Sequence, residues 1–294
     1  MRNKGMITSD FKSLKLFNKG KVRDVYEVDR YLLIVATDRI SAFDVIMPNP
    51  IPGKGEILTK MSAFWFHRMQ DIVENHLVST NPPDYPRECE PFIEELKGRS
   101  MLVKKAEPLP VECVVRGYLS GSGWQDYLRT NTISGINLPE GLKESAKLPE
   151  PLFTPSTKAH AGAHDMAITK KEMEAIIGSE RTVKIIEKSL AVYTRAAKIA
   201  EEAGIIIADT KMEFGIIEDR LILIDELLTP DSSRFWPKED YEAGRPQKSF
   251  DKQYLRDYLI SLKWNQNPPA PELPKEIIEK TREKYEEALH RFVR

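Results

Sequence analysis

Two apolar runs in this chain end abruptly in carboxylates, and few folds can accommodate both. Ile205-Ile206-Ile207-Ala208 leads into Asp209-Thr210-Lys211-Met212-Glu213-Phe214-Gly215, and Leu221-Ile222-Leu223-Ile224 leads into Asp225-Glu226. Their spacing predicts a β-hairpin near residue 215 with the acidic clusters facing each other. Charge at the end of a buried strand needs a partner, because desolvation otherwise outweighs what the hairpin gains. Lys211 lies inside the pattern, and Thr229-Pro230-Asp231-Ser232-Ser233-Arg234 follows it directly. A hydrated Mg²⁺ shared with nucleotide phosphates satisfies such a hairpin, since Mg²⁺ favours carboxylate and phosphate oxygens. Charges that are solvated or paired with one another satisfy it equally well.

The length of 294 residues suits one large domain or two ordinary ones. A net charge of -1 supplies no global field for nucleic acid or an anionic membrane. No apolar run approaches the roughly 20 residues of a membrane span, and Met1 to Met6 lead into polar sequence without a signal-peptide core. The two cysteines, Cys89 and Cys113, imply neither a metal cluster nor a disulfide framework. The expectation is a cytoplasmic protein without nucleic-acid or membrane partners.

The first third reads as strands. Val22 to Val28 and Tyr31 to Ala36 flank an Asp29-Arg30 break, which predicts a hairpin. Leu58, Met61, Trp65, Arg68, Met69 and Ile72 predict a helix over about 56–72. Strands are expected at Met101–Lys105 and Val111–Arg116, joined by a proline-stiffened hinge at Ala106–Pro110. The Gly, Pro, Ser and Thr content of 131–162 predicts a long ordered loop. Thr169 and Glu172 fit a capping box, and Gly178-Ser179 interrupts the helix it opens. Val183, Ile186, Leu190, Tyr193, Ala197 and Ala200 predict a buried helical stripe that Gly204 stops. A helix is expected over 251–264. After the stiff Pro268–Pro271 connector, Pro274 should start a last helix carrying Ile278, Tyr285, Ala288 and Phe292.

Several motifs could carry chemistry. Gly20-Lys21-Val22-Arg23 offers a close backbone approach and two cations on one strand face, although a plain basic hairpin reads the same way. Gly53-Lys54-Gly55 lacks the spacing and hydroxyl of a P-loop. Arg116-Gly117-Tyr118-Leu119-Ser120-Gly121-Ser122-Gly123-Trp124 follows a strand with small residues, hydroxyls and a guanidinium, a good cup for a phosphate monoester. Its glycines do not match a dinucleotide fingerprint. Thr37-Asp38-Arg39-Ile40-Ser41-Ala42-Phe43-Asp44 concentrates polar groups after a strand, for a ligand or for turn capping. His160 and His164 lack the intervening Glu of a zinc protease helix, and no serine elbow is present.

Together and in this order, these motifs resemble the SAICAR synthetase family. The resemblance runs from about Lys19 to Trp264 and includes Phe153-Thr154-Pro155-Ser156-Thr157-Lys158 and Leu228-Thr229-Pro230-Asp231-Ser232-Ser233-Arg234-Phe235-Trp236. It implies an α+β fold: an antiparallel ATP-lid domain (1–108) over a larger α+β domain (109–294), with a terminal helical extension over 268–294. It implies ligation of L-aspartate to the 4-carboxylate of carboxyaminoimidazole ribonucleotide (CAIR), with ATP converted to ADP and phosphate and Mg²⁺ required. Gly20, Lys21 and Arg23 then resemble the lid over the ATP phosphates, with Arg23 where the family often has Lys. Adenine is expected near Lys104 to Glu107. Glu213 resembles an acid near ribose or metal, Asp225 a Mg²⁺ ligand to which Asp209 contributes, and Lys211 the cation between nucleotide and CAIR carboxylate. Arg116, Ser120, Ser122 and Arg234 resemble the cup for the CAIR ribose phosphate, and Asp38 and Asp231 resemble polar contacts to the imidazole nucleotide. Lys252 and Arg256 share a helix face and suit phosphate or the aspartate carboxylates. A kinase-like phosphotransferase is the rival, but no His-Arg-Asp loop or Asp-Phe-Gly triplet is present. The assembly is expected to be a monomer or small homo-oligomer.

Overall fold

The computed structural model describes residues 5–158 and 166–293. The expected His160 and His164 lie outside the described residues. A first antiparallel sheet holds Lys15–Lys19 (β1), Arg23–Val28 (β2), Tyr31–Ala36 (β3), Leu77–Ser79 (β4) and Ser100–Lys104 (β5), in the order β1-β2-β3-β5-β4. The β2–β3 turn falls at Asp29-Arg30, as the alternating pattern requires. Alternation along β2 turns Asp24, Tyr26 and Val28 toward a small core with Phe11, Leu33 and Val35. Arg23 is therefore left on the opposite face.

The chain leaves this sheet after Lys104 and enters a second, seven-stranded one through Glu107–Pro108 (β6). The other strands are Val111–Tyr118 (β7), Lys147–Phe153 (β8), Ser156–Thr157 (β9), Ile205–Ile217 (β10), Arg220–Ile224 (β11) and Ser233–Pro237 (β12). β10 is central: β7, β12, β11 and β6 all pair with it antiparallel. The hairpin expected near residue 215 forms, with its β10–β11 turn at Glu218-Asp219, both with positive φ. Gly215 sits inside the strand. A Cβ there would come within 3.0 Å of Ala106 Cβ and of the Glu107 carbonyl oxygen, so its role is close strand approach.

A register shift between Ile207 and Asp209 sets the faces of β10. Before it, Ile205 and Ile207 enter the main core; after it, Met212 and Phe214 do. The parity of the buried positions changes, and Asp209, Lys211 and Glu213 are aimed together at the opposite face. Tyr193 fixes the spot by donating its hydroxyl to the Ile207 carbonyl at 2.6 Å.

Within the expected loop over 131–162, the described residues 131–158 contain four short strands. Thr132–Ile133 and Ile136–Asn137 form a small hairpin, and β8 and β9 both pair with β7. Pro149 and Pro151 obscured β8; its pairing skips from Lys147 to Leu152, an irregularity that edge prolines permit.

The longer helices among the described residues are Lys54–Met69 (α1), Gly121–Thr130 (α2), Lys170–Ile177 (α3), Ser179–Glu202 (α4), Gln253–Ser261 (α5) and Lys275–Phe292 (α6). The capping box at Thr169 and Glu172 forms as expected, and Gly178 separates α3 from α4. The buried face of α4 is rotated from the expected stripe. Thr182, Ile185, Ser189, Val192, Tyr193, Ala196 and Ala200 are buried, whereas Val183 is exposed. Polar Thr182 and Ser189 hid that face, because an apolar count skips small hydroxyl residues that pack tightly. One hydrophobic cluster joins α1, α6 and both sheets, with Phe292 centred 5.1 Å from Trp65 and 5.5 Å from Phe235. The C-terminal helix is thus part of the core. Among the described residues, no helix is long and apolar enough to cross a membrane.

Candidate active site

A cavity of about 650 Å³ lies between the two sheets. From the first sheet it is lined by Gly20, Lys21 and Arg23, and from the second by Lys211, Glu213, Asp225 and Glu226; Asp231, Lys252 and Arg256 close its floor. Arg23 crosses the gap, with Nη2 at 2.8 Å from Asp225 Oδ2 and 3.3 Å from Glu226 Oε1. Burial opposes its charge, but Asp225, Glu226, Glu213 and Asp231 together raise its pKa above the usual arginine value. Lys21 pairs with Asp44, and Lys158 with Glu213.

The loop bearing Gly20 and Lys21 is held from below. Arg39 donates through Nε to the Lys21 carbonyl (3.0 Å), through Nη2 to the Gly20 carbonyl (2.9 Å) and through Nη1 to the Ile7 carbonyl (2.7 Å). The same fork reaches both Asp24 oxygens, at 2.7 and 3.3 Å. A buried guanidinium with all its donors engaged fixes backbone geometry in a way no lysine could.

Glu213 lies opposite Ile224 in the ladder, so Asp225 follows directly beside it. Asp225 has φ 66, a left-handed conformation that Asp tolerates better than most residues. Burial pushes its carboxyl pKa up, Arg23 opposes this, and Glu213 adds to the rise. Such a crowded carboxylate is relieved by a bound cation. Among the described residues no three His, Cys, Asp or Glu side chains cluster as an all-protein metal cage would need. Two carboxylates in a cavity that also holds Lys21 and Arg23 suit Mg²⁺, which keeps much of its shell for phosphate and water.

A second compartment of about 220 Å³ adjoins the first, sharing Lys211, Asp231, Ser232 and Arg256 with it. The ladder explains its character: Arg116 on β7 and Arg234 on β12 flank Asp209 on β10 in direct register. Asp209 Oδ2 accepts from Arg116 Nη1 at 2.9 Å and from Arg234 Nη1 at 2.5 Å. Arg116 also donates to Ser122 Oγ (3.0 Å) and Thr154 Oγ1 (3.1 Å), and Ser120 Oγ lies 3.4 Å from Asp209. Two guanidinium groups on one carboxylate leave a net positive charge, which suits a phosphate monoester.

Lys211 stands between the compartments, with Nζ 2.6 Å from Glu112 Oε1. Burial favours its neutral form, yet Glu112, then Glu213 and Asp225, raise its pKa above the usual lysine value. It therefore remains a cation where the two spaces meet.

Not every expected residue joins this site. Asp209 lies in the arginine row and does not line the larger cavity with Asp225 and Glu213; the register that pairs it with Arg116 and Arg234 holds it there. Asp38 is buried and accepts from the backbone N–H of Met6 (2.7 Å) and of Gly55 (2.9 Å), so it holds the start of α1. It lines a separate groove, in keeping with the capping alternative. Lys104 ends β5 and Glu107 is exposed on β6; neither lines the cavity.

Sequence reading missed Glu112, Lys158, Lys54 and Tyr285. Glu112 was detectable, because alternation along β7 places 112, 114 and 116 on one face. Lys54 and Tyr285 reach Asp231 from distant elements, and no local pattern marks them.

The SAICAR synthetase family model matches residues 16–271 of this chain. The phosphoribosylaminoimidazole-succinocarboxamide synthase of Thermodesulfovibrio yellowstonii is 62% identical over 282 residues, 96% of this chain and 96% of that protein. Its namesake in Desulfosudis oleivorans is 61% identical over 285 residues, 97% of each. Among solved structures, SAICAR synthase from Saccharomyces cerevisiae, complexed with SAICAR, superposes with TM-score 0.89 at 44% identity, covering 98% of this chain and 97% of that one. A type-2 SAICAR synthetase in complex with ADP shares the fold, with TM-score 0.69 at 24% identity over 94% of this chain and 97% of that one.

Proposed function

The chain belongs to the SAICAR synthetase family, and from that premise we propose that it joins L-aspartate to the 4-carboxylate of CAIR, converting ATP to ADP and phosphate. The observation that carries this reading is the pair of adjoining compartments that share Lys211, Asp231, Ser232 and Arg256. One side presents the Gly20–Arg23 lid to a polyphosphate. The other presents the Arg116–Arg234 pair to the ribose phosphate of CAIR. Adenine binds along the crossing near Lys104 to Glu107, and the first sheet, within 1–108, acts as the lid domain over 109–294.

A carboxylate resists attack by an amine because its oxygen leaves poorly. In the first step a CAIR carboxylate oxygen bonds to the γ-phosphorus of ATP, and the bond to the β,γ-bridging oxygen breaks, releasing ADP. In the second step the aspartate nitrogen bonds to the acyl carbon, phosphate departs with the former carboxylate oxygen, and the nitrogen loses a proton. Arg23 and Lys21 offset charge on the transferring phosphoryl group, and Lys211 offsets it on the carboxylate being activated. Arg116 and Arg234, aligned by Asp209, hold CAIR so that its carboxylate meets Lys211. Lys252 and Arg256 receive the aspartate carboxylates. Asp225 and Glu213 fit Mg²⁺, which when bound would neutralise phosphate oxygens as a Lewis acid. Asp209 we assign to alignment of the arginines and not to metal. A cytoplasmic location belongs to the same proposal, because ATP is a substrate and both cysteines are free thiols.

An omission assay tests the reading. ATP, Mg²⁺, CAIR and aspartate together should yield SAICAR and ADP in equal amounts, and leaving out any one should stop both. ADP release without SAICAR would refute the ligase reading.

A further inference from the structure

Asp231 is the most heavily engaged carboxylate on the floor of the cleft. Lys54 Nζ meets its Oδ2 at 2.7 Å, and Lys252 Nζ approaches the same oxygen at 3.3 Å. Tyr285 donates its hydroxyl to Oδ1 at 2.7 Å. Both oxygens are thus engaged by protein groups, and the Lys252 ammonium lines the larger cavity beside Asp231.

The arrangement is costly for a purely structural one. Lys54 is wholly buried at the first turn of α1, where a cation opposes the helix dipole. Its ammonium also lies 5.9 Å above the Tyr285 ring. Tyr285 is wholly buried on α6, where a phenylalanine would satisfy the apolar surroundings without needing a polar partner. Two lysines around one carboxylate leave one positive charge in excess, directed at a cavity suited to anions. Asp231 remains ionised despite burial because Lys252, Lys54 and the Tyr285 hydroxyl hold its pKa below the usual value.

We propose that Tyr285 is a positioning residue: its bond to Asp231 fixes that carboxylate, and through it Lys252, making the C-terminal helix a working part of the substrate site. The inference rests on the ligase reading, because it takes the ligand of this floor to be the CAIR and aspartate portion that survives in SAICAR. Lys54 supplies the buried counter-charge, and Tyr285 sets the orientation of the carboxylate plane.

Isothermal titration of wild-type protein, Tyr285→Phe and Phe292→Leu with SAICAR and, separately, with ADP and Mg²⁺ tests this. Phe292 shares the helix and packs on Trp65 and Phe235, and it carries no polar group that could bond to Asp231. Tyr285→Phe should raise the SAICAR dissociation constant about tenfold, as for one lost hydrogen bond to a charged group. It should leave ADP binding unchanged and raise the KM for aspartate with little change in kcat. Phe292→Leu should lower Tm without altering SAICAR affinity. Unchanged SAICAR affinity in Tyr285→Phe would overturn the inference, as would a parallel weakening in Phe292→Leu. Wild-type protein that binds ADP but not SAICAR would overturn the ligase reading itself, a separate and recognisable failure.

Discussion

Arg23 and Asp225 meet at 2.8 Å across the cleft, joining β2 of the first sheet to the end of β11 in the second. Each is charged in a half-buried setting that neither sheet could provide alone. The pair ties a cation of the first sheet to a carboxylate of the second across the cavity.

Asp225→Asn separates function from stability. The folded pKa of Asp225 is raised above its unfolded value. Its stabilising contribution is therefore present below the unfolded pKa and lost as pH rises through the folded one. At neutral pH the ionised group lowers stability, so the variant should melt no lower than wild type at pH 7. The difference in Tm should shrink on acidification toward the carboxylate range. Turnover should fall by about 10²–10³-fold. Thermal melts across pH and steady-state rates check both; a lower Tm at pH 7 or wild-type turnover would remove Asp225 from this role.

Arg39→Lys keeps the charge and loses the fork. The carbonyls of Gly20 and Lys21 would lose donors at 2.9 and 3.0 Å. The variant should lose about 1–3 kcal/mol of stability and show a raised KM for ATP with the KM for CAIR unchanged. Urea denaturation and the two KM values decide it.

Arg116→Lys should act on the other compartment. It removes the contacts to Ser122 and Thr154 and one of the two guanidinium groups on Asp209. SAICAR affinity should fall about tenfold or more, while ADP affinity stays constant. Titration calorimetry with each ligand separates the outcomes, and equal weakening of both would contradict the two-compartment account.

Gly117→Ala tests the β10 bulge. A Cβ at Gly117 would lie 1.9 Å from the Tyr193 hydroxyl oxygen, which donates to Ile207. The variant should lose about 1–3 kcal/mol through forced repacking. Adding Tyr193→Phe should recover part of that loss, a coupling readable by a double-mutant cycle in denaturant.

These residues also show what a sequence makes visible. The β2–β3 turn, the Thr169 cap and the Gly178 break are local, and alternation or cap chemistry alone marks them. The cluster of Lys211, Glu213 and Asp225 was legible because charge interrupts apolar strands. The bulge at Ile207 was not, since a change of parity leaves no compositional trace. Asp209 was grouped with the metal acids for that reason, whereas cross-strand register gives it to Arg116 and Arg234. Tyr285 lies 54 residues from Asp231, and only the packing of the last helix brings them together.

The most direct test follows one oxygen atom. CAIR carrying isotopically labelled oxygen in its 4-carboxylate should transfer one labelled oxygen to the phosphate released with SAICAR. That result requires phosphoryl transfer from the lid compartment to the carboxylate held at Lys211. Unlabelled phosphate alongside SAICAR formation would contradict the account, because ATP would then be cleaved without activating the carboxylate.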